Sequence, residues 1–558
     1  MKAEQKFLSF SVIFVIGFRA LYATKYGWDG CWMNYNFLLE AKAFALARTT
    51  EPNGLALTPL LLFFLRRVGL TPLGSLTAAY LMGQAIFTLA AMWLYDFFVP
   101  ESSWRKHLLF VVVLATVPLL STDTAYKDIA VLLGAAMLLA SLAFALSAAC
   151  SASGRNVAIV MTCVCGALGS AFRFEALAGL AFAGAILLAC SFGDRPIAGI
   201  VRPRPVGLSL IAGVAVGFLV ILSSAFVLRG KAELSSSAYR FYTFYDGLPM
   251  LMLPSNLVRP GEYGRYIASL TYFGGYFENG GRLVTALLSH PGWALLRFVL
   301  KIPDLLAAIA STKAITAIGF VFAAVGLCHS FRTRSTNSSS RPRSIILLTF
   351  LGPAFILLVP PANDRYSLSL IFPVLLAMTF GLDLTFAKLS DRGFRTLTVL
   401  CLTINVLLIM FFGRVEVSSS PTITEAALYL ESVCESGCLV NYVPQALSSQ
   451  AWVDLEAGAP FPPKIKRSES FVLGNYPASY ADDCRFETRV RRAIQLGYTG
   501  PILYLDVQIP SASVFSETFD PEHKFDGFPD LSSARLLTKF AHDSDTILIY
   551  QIGDRSLN

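Results

Sequence analysis

The sequence predicts an α-helical polytopic membrane protein with about eleven transmembrane helices, interfacial helices among them, and a C-terminal extracytoplasmic domain of mixed α/β structure. Three observations predict it. Apolar residues make up 55% of the 558 residues and charged ones only 15%, the mean hydropathy is +0.59, and apolar runs of near-spanning length recur. The short loops between those runs hold Lys and Arg such that one orientation puts every basic loop on the same side. From Gly413 onward Pro, Ser, Asp and Glu return and the long apolar runs stop.

In chain order, the opening MKAEQKFLSFSVIFVIGFRALYA has a basic start and an apolar core but no small-x-small cleavage site, and reads as a retained first span. The expected spans are Phe7 to Tyr22, Thr77 to Phe97, His107 to Leu120, Ile129 to Ala149, Asn156 to Ala171, Glu175 to Cys190, Val206 to Leu228, Ile315 to Phe331, Ile345 to Pro360, Leu368 to Thr385 and Leu397 to Phe412. With the N-terminus cytoplasmic, Arg105 and Lys106, Arg155, the group Arg195, Arg202 and Arg204, the tract from Arg332 to Arg343, and Lys388, Arg392 and Arg395 all lie inside. The net charge of +8 is thereby a matter of topology, and nucleic acid is not an expected partner. The same alternation puts a first loop (25–75), a long connection (229–312) and the tail on the outer side. The expected domains are a transmembrane part, 1–412, and a soluble part, 413–558.

Asn34 to Arg48, Leu55 to Arg67 and Pro291 to Leu306 mix aromatic and aliphatic side chains with charges, as helices lying in the interface plane do. The alternative for the last is a further span interrupted by Arg297, Lys301 and Asp304, at the cost of three charges in lipid. In the tail, TEAALYLESV reads as a helix, and CLVNYV, PILYLDVQI and DTILIYQI as short buried strands. No internal repeat of useful length supports a two-fold transporter architecture.

Of the ten cysteines, Cys150, Cys163, Cys165, Cys190, Cys328 and Cys401 lie in or at the ends of apolar runs, where a thiol acts as a small hydrophobe. Cys434, Cys438 and Cys484 lie in the polar tail, where one pair could close a disulfide in an oxidising compartment. No paired CxxC pattern points to zinc.

Ionisable residues at span ends on one side are the functional candidates, because burying charge in a membrane without purpose is costly. The outer set is Asp29, Glu40, Asp123, Lys127, Asp128, Arg173, Glu175, Asp364 and Arg365. Asp29, between Trp28 and Gly30, could deprotonate an acceptor hydroxyl or merely cap the next helix. Lys127 suits a phosphate as a compact point charge, while Asp128 either contacts substrate or caps the span that follows. Arg173 is a phosphate ligand or the partner of Glu175 in a local ion pair. Arg365, followed by Tyr366, could grip a lipid phosphate bidentately or snorkel to the interface. The long connection is rich in aromatic residues, with Asp246, Arg265 and Glu278 among them, and suits a lid on the membrane or a sugar-contacting surface. His290, before Pro291, reads as a turn residue or a metal ligand.

Four stretches carry a resemblance: WDGCWMNYNFLLEAKAFALA leading to TPLLLFFLRRVG, KDIAVLLGAAMLLASLAFAL, LGSAFRFEALAGLAFAGAILL and DRYSLSLIFPVLLA. Their order resembles the polytopic GT-C glycosyltransferases of the protein O-mannosyltransferase and aminoarabinose-transferase type, and SHPGWALLRFVLK resembles that family's interfacial helix. The resemblance implies a sugar donor on a polyprenyl phosphate, an inverting displacement, and a lipid, glycan or protein acceptor at the outer face. Carried over, Asp29 becomes the general base, Lys127, Arg173 and Arg365 hold the donor phosphate, and Glu40, Asp128 and Tyr366 line the substrate site. The chain has a single acid at Asp29 where many members have two, so no metal set carries over and a divalent cation is left open. It also lacks the family's Lys-Pro-Pro run ahead of Pro59, which speaks against lipid A as acceptor. The rival expectations are a flippase for lipid-linked sugars or an oligosaccharide polymerase. The expected location is a bacterial inner membrane, no retention signal being visible in the final DRSLN.

Overall fold

A computed structural model describes residues 57–98, 104–117, 129–150, 154–191, 203–229, 244–245, 247–253, 262–275, 278–280, 282–311, 315–332, 364–386, 389–390, 392–396, 438–440, 465–467, 500–508, 534–542 and 545–552, with isolated positions elsewhere. The helices are α1 (Leu57–Arg67), α2 (Pro72–Phe98), α3 (Trp104–Thr116), α4 (Ile129–Cys150), α5 (Arg155–Phe172), α6 (Phe174–Ser191), α7 (Pro203–Arg229), α8 (Glu262–Phe273), α9 (Leu283–Ser289), α10 (Pro291–Ala310), α11 (Thr316–Arg332) and α12 (Ile371–Phe386). A 3-10 turn, Asp364–Leu370, leads directly into α12. Five strands follow: β1 (Cys438–Val440), β2 (Ile465–Arg467), β3 (Ile502–Gln508), β4 (Arg535–His542) and β5 (Asp545–Gln551). The protein is thus mostly helical with a C-terminal sheet. Among the described residues, five helices are long and apolar enough to cross a membrane: α2, α4, α5, α7 and the turn-plus-α12 segment. The protein is an integral membrane protein.

Chain contacts divide the molecule into two units, 1–234 with 302–415, and 235–301 with 416–558. The division falls inside α10, after Lys301.

In the first unit α4 is the central helix, with 89% of its spanning window buried. Helix directions follow from which residues meet. Gly83 of α2 faces Leu132 of α4, and Trp93 meets Phe144 further along both, so α2 and α4 run parallel. Gly169 of α5 lies on Met137 of α4, and Ser141 donates to the Thr162 carbonyl at 2.9 Å, so α4 and α5 are antiparallel. Lys106 and Phe110 of α3 meet Asp383 and Phe372 of α12, which makes those two antiparallel. Each relation is the one an alternating set of spans requires. Small residues set the closest approaches: Gly213 lies on Cys163, and Gly326 of α11 and Gly381 of α12 each leave no room for a Cβ. Val157, Val160 and Val164 of α5 are exposed at helical spacing, an apolar face for lipid.

In the second unit the sheet order is β2-β1-β3-β5-β4, parallel from β2 to β3 and antiparallel from β3 to β4. Ile547 and Ile549 on β5 and Leu503 and Tyr504 on β3 are buried, and β4 forms the more exposed edge. Positions 425, 426, 429 and 433 are helical, and Tyr429 packs edge-on against Phe540 of β4.

Candidate functional site

The break between α5 and α6 places Arg173. Its backbone is extended (φ −152°, ψ 140°), while its N–H still closes α5 on the Gly169 carbonyl at 3.0 Å and its carbonyl accepts from Leu177 at 3.3 Å to open α6. One non-helical residue therefore joins two helices with no backbone group wasted. Glu175 follows in the first turn of α6, where a carboxylate complements the helix N-terminus. Arg173 Nε donates to Glu175 Oε2 and Nη2 to Oε1, both at 3.2 Å, a fork-on-fork pair whose side chains are 17% and 11% exposed.

The stem of Arg173 lies across Gly134 on the first third of α4. A Cβ at position 134 would stand 2.8 Å from Arg173 Cβ and 2.9 Å from Cγ, so only glycine admits the stem there. The expected ion pair thus exists, and it holds the guanidinium in one orientation rather than hiding it.

Arg365 and Tyr366 lie on the 3-10 turn, which packs against α4. Because α12 runs antiparallel to α3, the start of α12 lies at the end of α3 from which the chain passes on to α4. Ser367, Leu368 and Leu370 of the turn are buried. Asp29, Glu40, Lys127, Asp128, Asp246, Cys434 and Cys484 lie outside the described residues.

A second arrangement of charge was not foreseen. On α10 the face built by Ala294, Arg297, Lys301, Leu305 and Ile309 is buried, while Trp293, Leu295, Leu296, Val299, Ile302 and Leu306 are exposed. The cations point inward and the hydrophobes outward. Arg297 Nη2 donates to the carbonyls of Phe244 at 2.7 Å and Gly247 at 3.0 Å, and Lys301 Nζ to Gly247 at 2.9 Å. The Arg297 guanidinium also stands 3.7 Å from the centre of the Phe244 ring. The four-residue spacing of Arg297 and Lys301 was the available signal, since it puts both on one face opposite the leucines.

The segment those cations grip is tied down in turn. Ser269 donates to the Tyr245 carbonyl at 2.8 Å, Tyr245 to the Gly274 carbonyl at 3.0 Å, and Tyr272 to the Met252 carbonyl at 2.8 Å. Gly274 ends α8 at φ +73°, the left-handed conformation a helix terminus favours. His290 caps α9 through its N–H on the Ala286 carbonyl, its ring edge-on to Phe273. Among the described residues no group of three His, Cys, Asp or Glu is placed to hold a metal.

No protein-family model and no curated protein matches the chain. Solved structures do. The archaeal oligosaccharyltransferase AglB from Archaeoglobus fulgidus, in complex with an inhibitory peptide and a dolichol-phosphate, is 11% identical over 90% of this chain and 70% of its own, with a TM-score of 0.48. ArnT from Cupriavidus metallidurans bound to undecaprenyl phosphate is 13% identical over 100% of this chain and 99% of its own, with a TM-score of 0.40. Its apo form gives 0.39 at the same identity.

Proposed function

We propose that the chain is an integral-membrane glycosyltransferase of the GT-C type, moving a sugar from a polyprenyl-phosphate donor to an acceptor at the extracytoplasmic face. The observation that carries the reading is the preset guanidinium of Arg173, held by Glu175 and Gly134 at the break between two apolar helices. Support comes also from the 3-10 turn bearing Arg365, which packs on the same central helix that Lys127 and Asp128 immediately precede.

In this reading Asp29 takes the proton of an acceptor hydroxyl as its oxygen attacks the anomeric carbon. The bond from that carbon to the phosphate oxygen breaks on the opposite face, and polyprenyl phosphate leaves with the electron pair, inverting the centre. Arg173, Lys127 and Arg365 stabilise the charge that gathers on the leaving phosphate. Glu40, Asp128 and Tyr366 contact the sugar or the acceptor. Dolichol phosphate and undecaprenyl phosphate, named for two of the similar structures, belong to this class of lipid. The exposed apolar face of α10 lies in the membrane interface, the 413–558 region stands outside, and the N-terminus is cytoplasmic in a bacterial inner membrane.

The test is transfer from a mixture of radiolabelled polyprenyl-phosphate sugars in membranes bearing wild type or Asp29→Asn. Transfer by wild type that falls at least about 10²-fold in a stably folded variant is the expected result, within the usual contribution of a general base. Equal transfer by the two removes Asp29 as base. No transfer by either, with movement of the lipid-linked sugar between leaflets, selects a flippase instead.

A further inference from the structure

At the end of the first unit where α2 and α12 finish and α3 begins, cations and aromatic rings alternate. Trp104 packs edge-on against Phe394 with ring centres 6.2 Å apart. Arg395 stands over the Trp104 ring at 4.8 Å and Arg105 over Phe394 at 4.8 Å. Arg105 Nη2 also donates to the Leu389 carbonyl at 2.6 Å, which ties α3 to the segment after α12. That segment turns at Ser390, whose carbonyl accepts from Phe394 at 2.8 Å and whose Oγ accepts from Gly393 at 3.2 Å, a helix cap for residues 392–396. Arg392 and Arg395 are three apart on that turn of helix and share a face. Both are exposed.

Two acids near this end, Asp96 and Asp383, have partners of their own. Asp96 is bonded to His107, and Asp383 meets Lys106 at 3.8 Å. Arg395 stands on an aromatic face, which fixes its direction without neutralising it. Leu384 in the last turn of α12, and Val399 and Leu400 a few residues beyond Arg395, are 40%, 52% and 52% exposed. Cations bordering exposed aliphatic side chains at a span end match a molecule with an anionic head and acyl chains, whereas an acidic protein surface would not call for the aliphatic part.

The geometry points to a binding site for an anionic phospholipid at this end of the helices, with Arg392 and Arg395 meeting the headgroup phosphate, Trp104 and Phe394 holding Arg395 and Arg105 in place, and Leu384, Val399 and Leu400 lying along the acyl chains. Its chemistry is distinct from the Arg173 site, and it stands or falls independently of the transferase reading.

The full chain in detergent, mixed with equal amounts of phosphatidylglycerol and phosphatidylcholine, is assayed by native mass spectrometry. Wild type retains phosphatidylglycerol selectively, and the Arg392→Gln/Arg395→Gln variant loses that retention by about fivefold per guanidinium. Both positions are exposed, so folding is preserved and is checked by the elution profile. A second readout is the rise in melting temperature on adding phosphatidylglycerol, present in wild type and absent in the variant. Equal retention by the two chains, or retention of both lipids alike, overturns the site.

Discussion

Arg173 and Arg297 are both arginines set among apolar helices, and the molecule treats them in opposite ways. Arg173 meets a carboxylate two residues away, at a helix break, with its side chain 17% exposed. Arg297 is fully buried mid-helix and donates to backbone carbonyls of a segment some fifty residues earlier. A local ion pair orients a charge while costing the fold little, whereas a long-range cation on carbonyls joins two pieces of chain. The first suits a group that works on a ligand. The second suits a structural clamp.

Arg297→Met is the change with the largest expected effect on this contrast. It leaves the Phe244 carbonyl short of a donor and removes the cation from the ring, offset in part by no longer burying a charge. A stability loss of about 3 kcal/mol, read by thermal unfolding, is the expected outcome. A rise in melting temperature would mean that the cation is tolerated rather than needed. Gly134→Ala comes next. Its Cβ would meet the Arg173 stem, so the guanidinium must shift, and transfer should fall about tenfold with a stability loss of about 1 kcal/mol. Unchanged transfer would separate Arg173 from the chemistry. Glu175→Gln gives the smallest change, because it keeps the shape while turning an amide N–H₂ toward one guanidinium donor. Transfer should drop by about threefold to tenfold, with the melting temperature moved by no more than a few degrees. If instead stability collapses and transfer per folded molecule does not change, the Arg173 pair is the clamp and the comparison is reversed.

Hydrophobic periodicity carried most of the helical layout. The expected spans that fall within the described stretches emerge as α2 to α7, α11 and α12, with ends moved by a few residues. Leu368 to Leu370, read as the start of the span to Thr385, instead belong to a 3-10 turn, Asp364–Leu370, ahead of α12, because hydropathy alone does not tell a 3-10 turn from an α-helical one. In the tail the runs CLV, ILYLDVQ and DTILIYQ appear as β1, β3 and β5. The pattern missed β4, RLLTKFAH, because an edge strand with a bulge between Leu536 and Thr538 need not alternate apolar and polar residues. It missed β2, three residues long, because nothing so short has a period.

Of the outer-face candidates, the sequence could name Arg173 and Glu175 and offer the ion pair as one alternative, but not the glycine beneath them. Gly134 sits in a run of small apolar residues whose members look interchangeable, and only the neighbouring helix distinguishes it. The α10 cations carry a related lesson. Amphipathic logic assigns charges to water, yet Arg297 and Lys301 lie on the buried face of α10 and the leucines Leu295, Leu296 and Leu306 on the exposed one.

The close contact of α11 with α12 bears on the order in which the protein assembles during synthesis. Antiparallel neighbours such as α4 and α5 can close as a hairpin as soon as the second helix leaves the ribosome. α11 and α12 cannot, since a longer stretch of chain separates them than separates α4 from α5. The Gly326 and Gly381 contact, which admits no Cβ on either side, therefore waits until α12 has been made. A larger residue at either glycine would leave the nascent chain with its early hairpins formed and its last helix undocked, a species that quality-control proteases meet before any enzyme assay could.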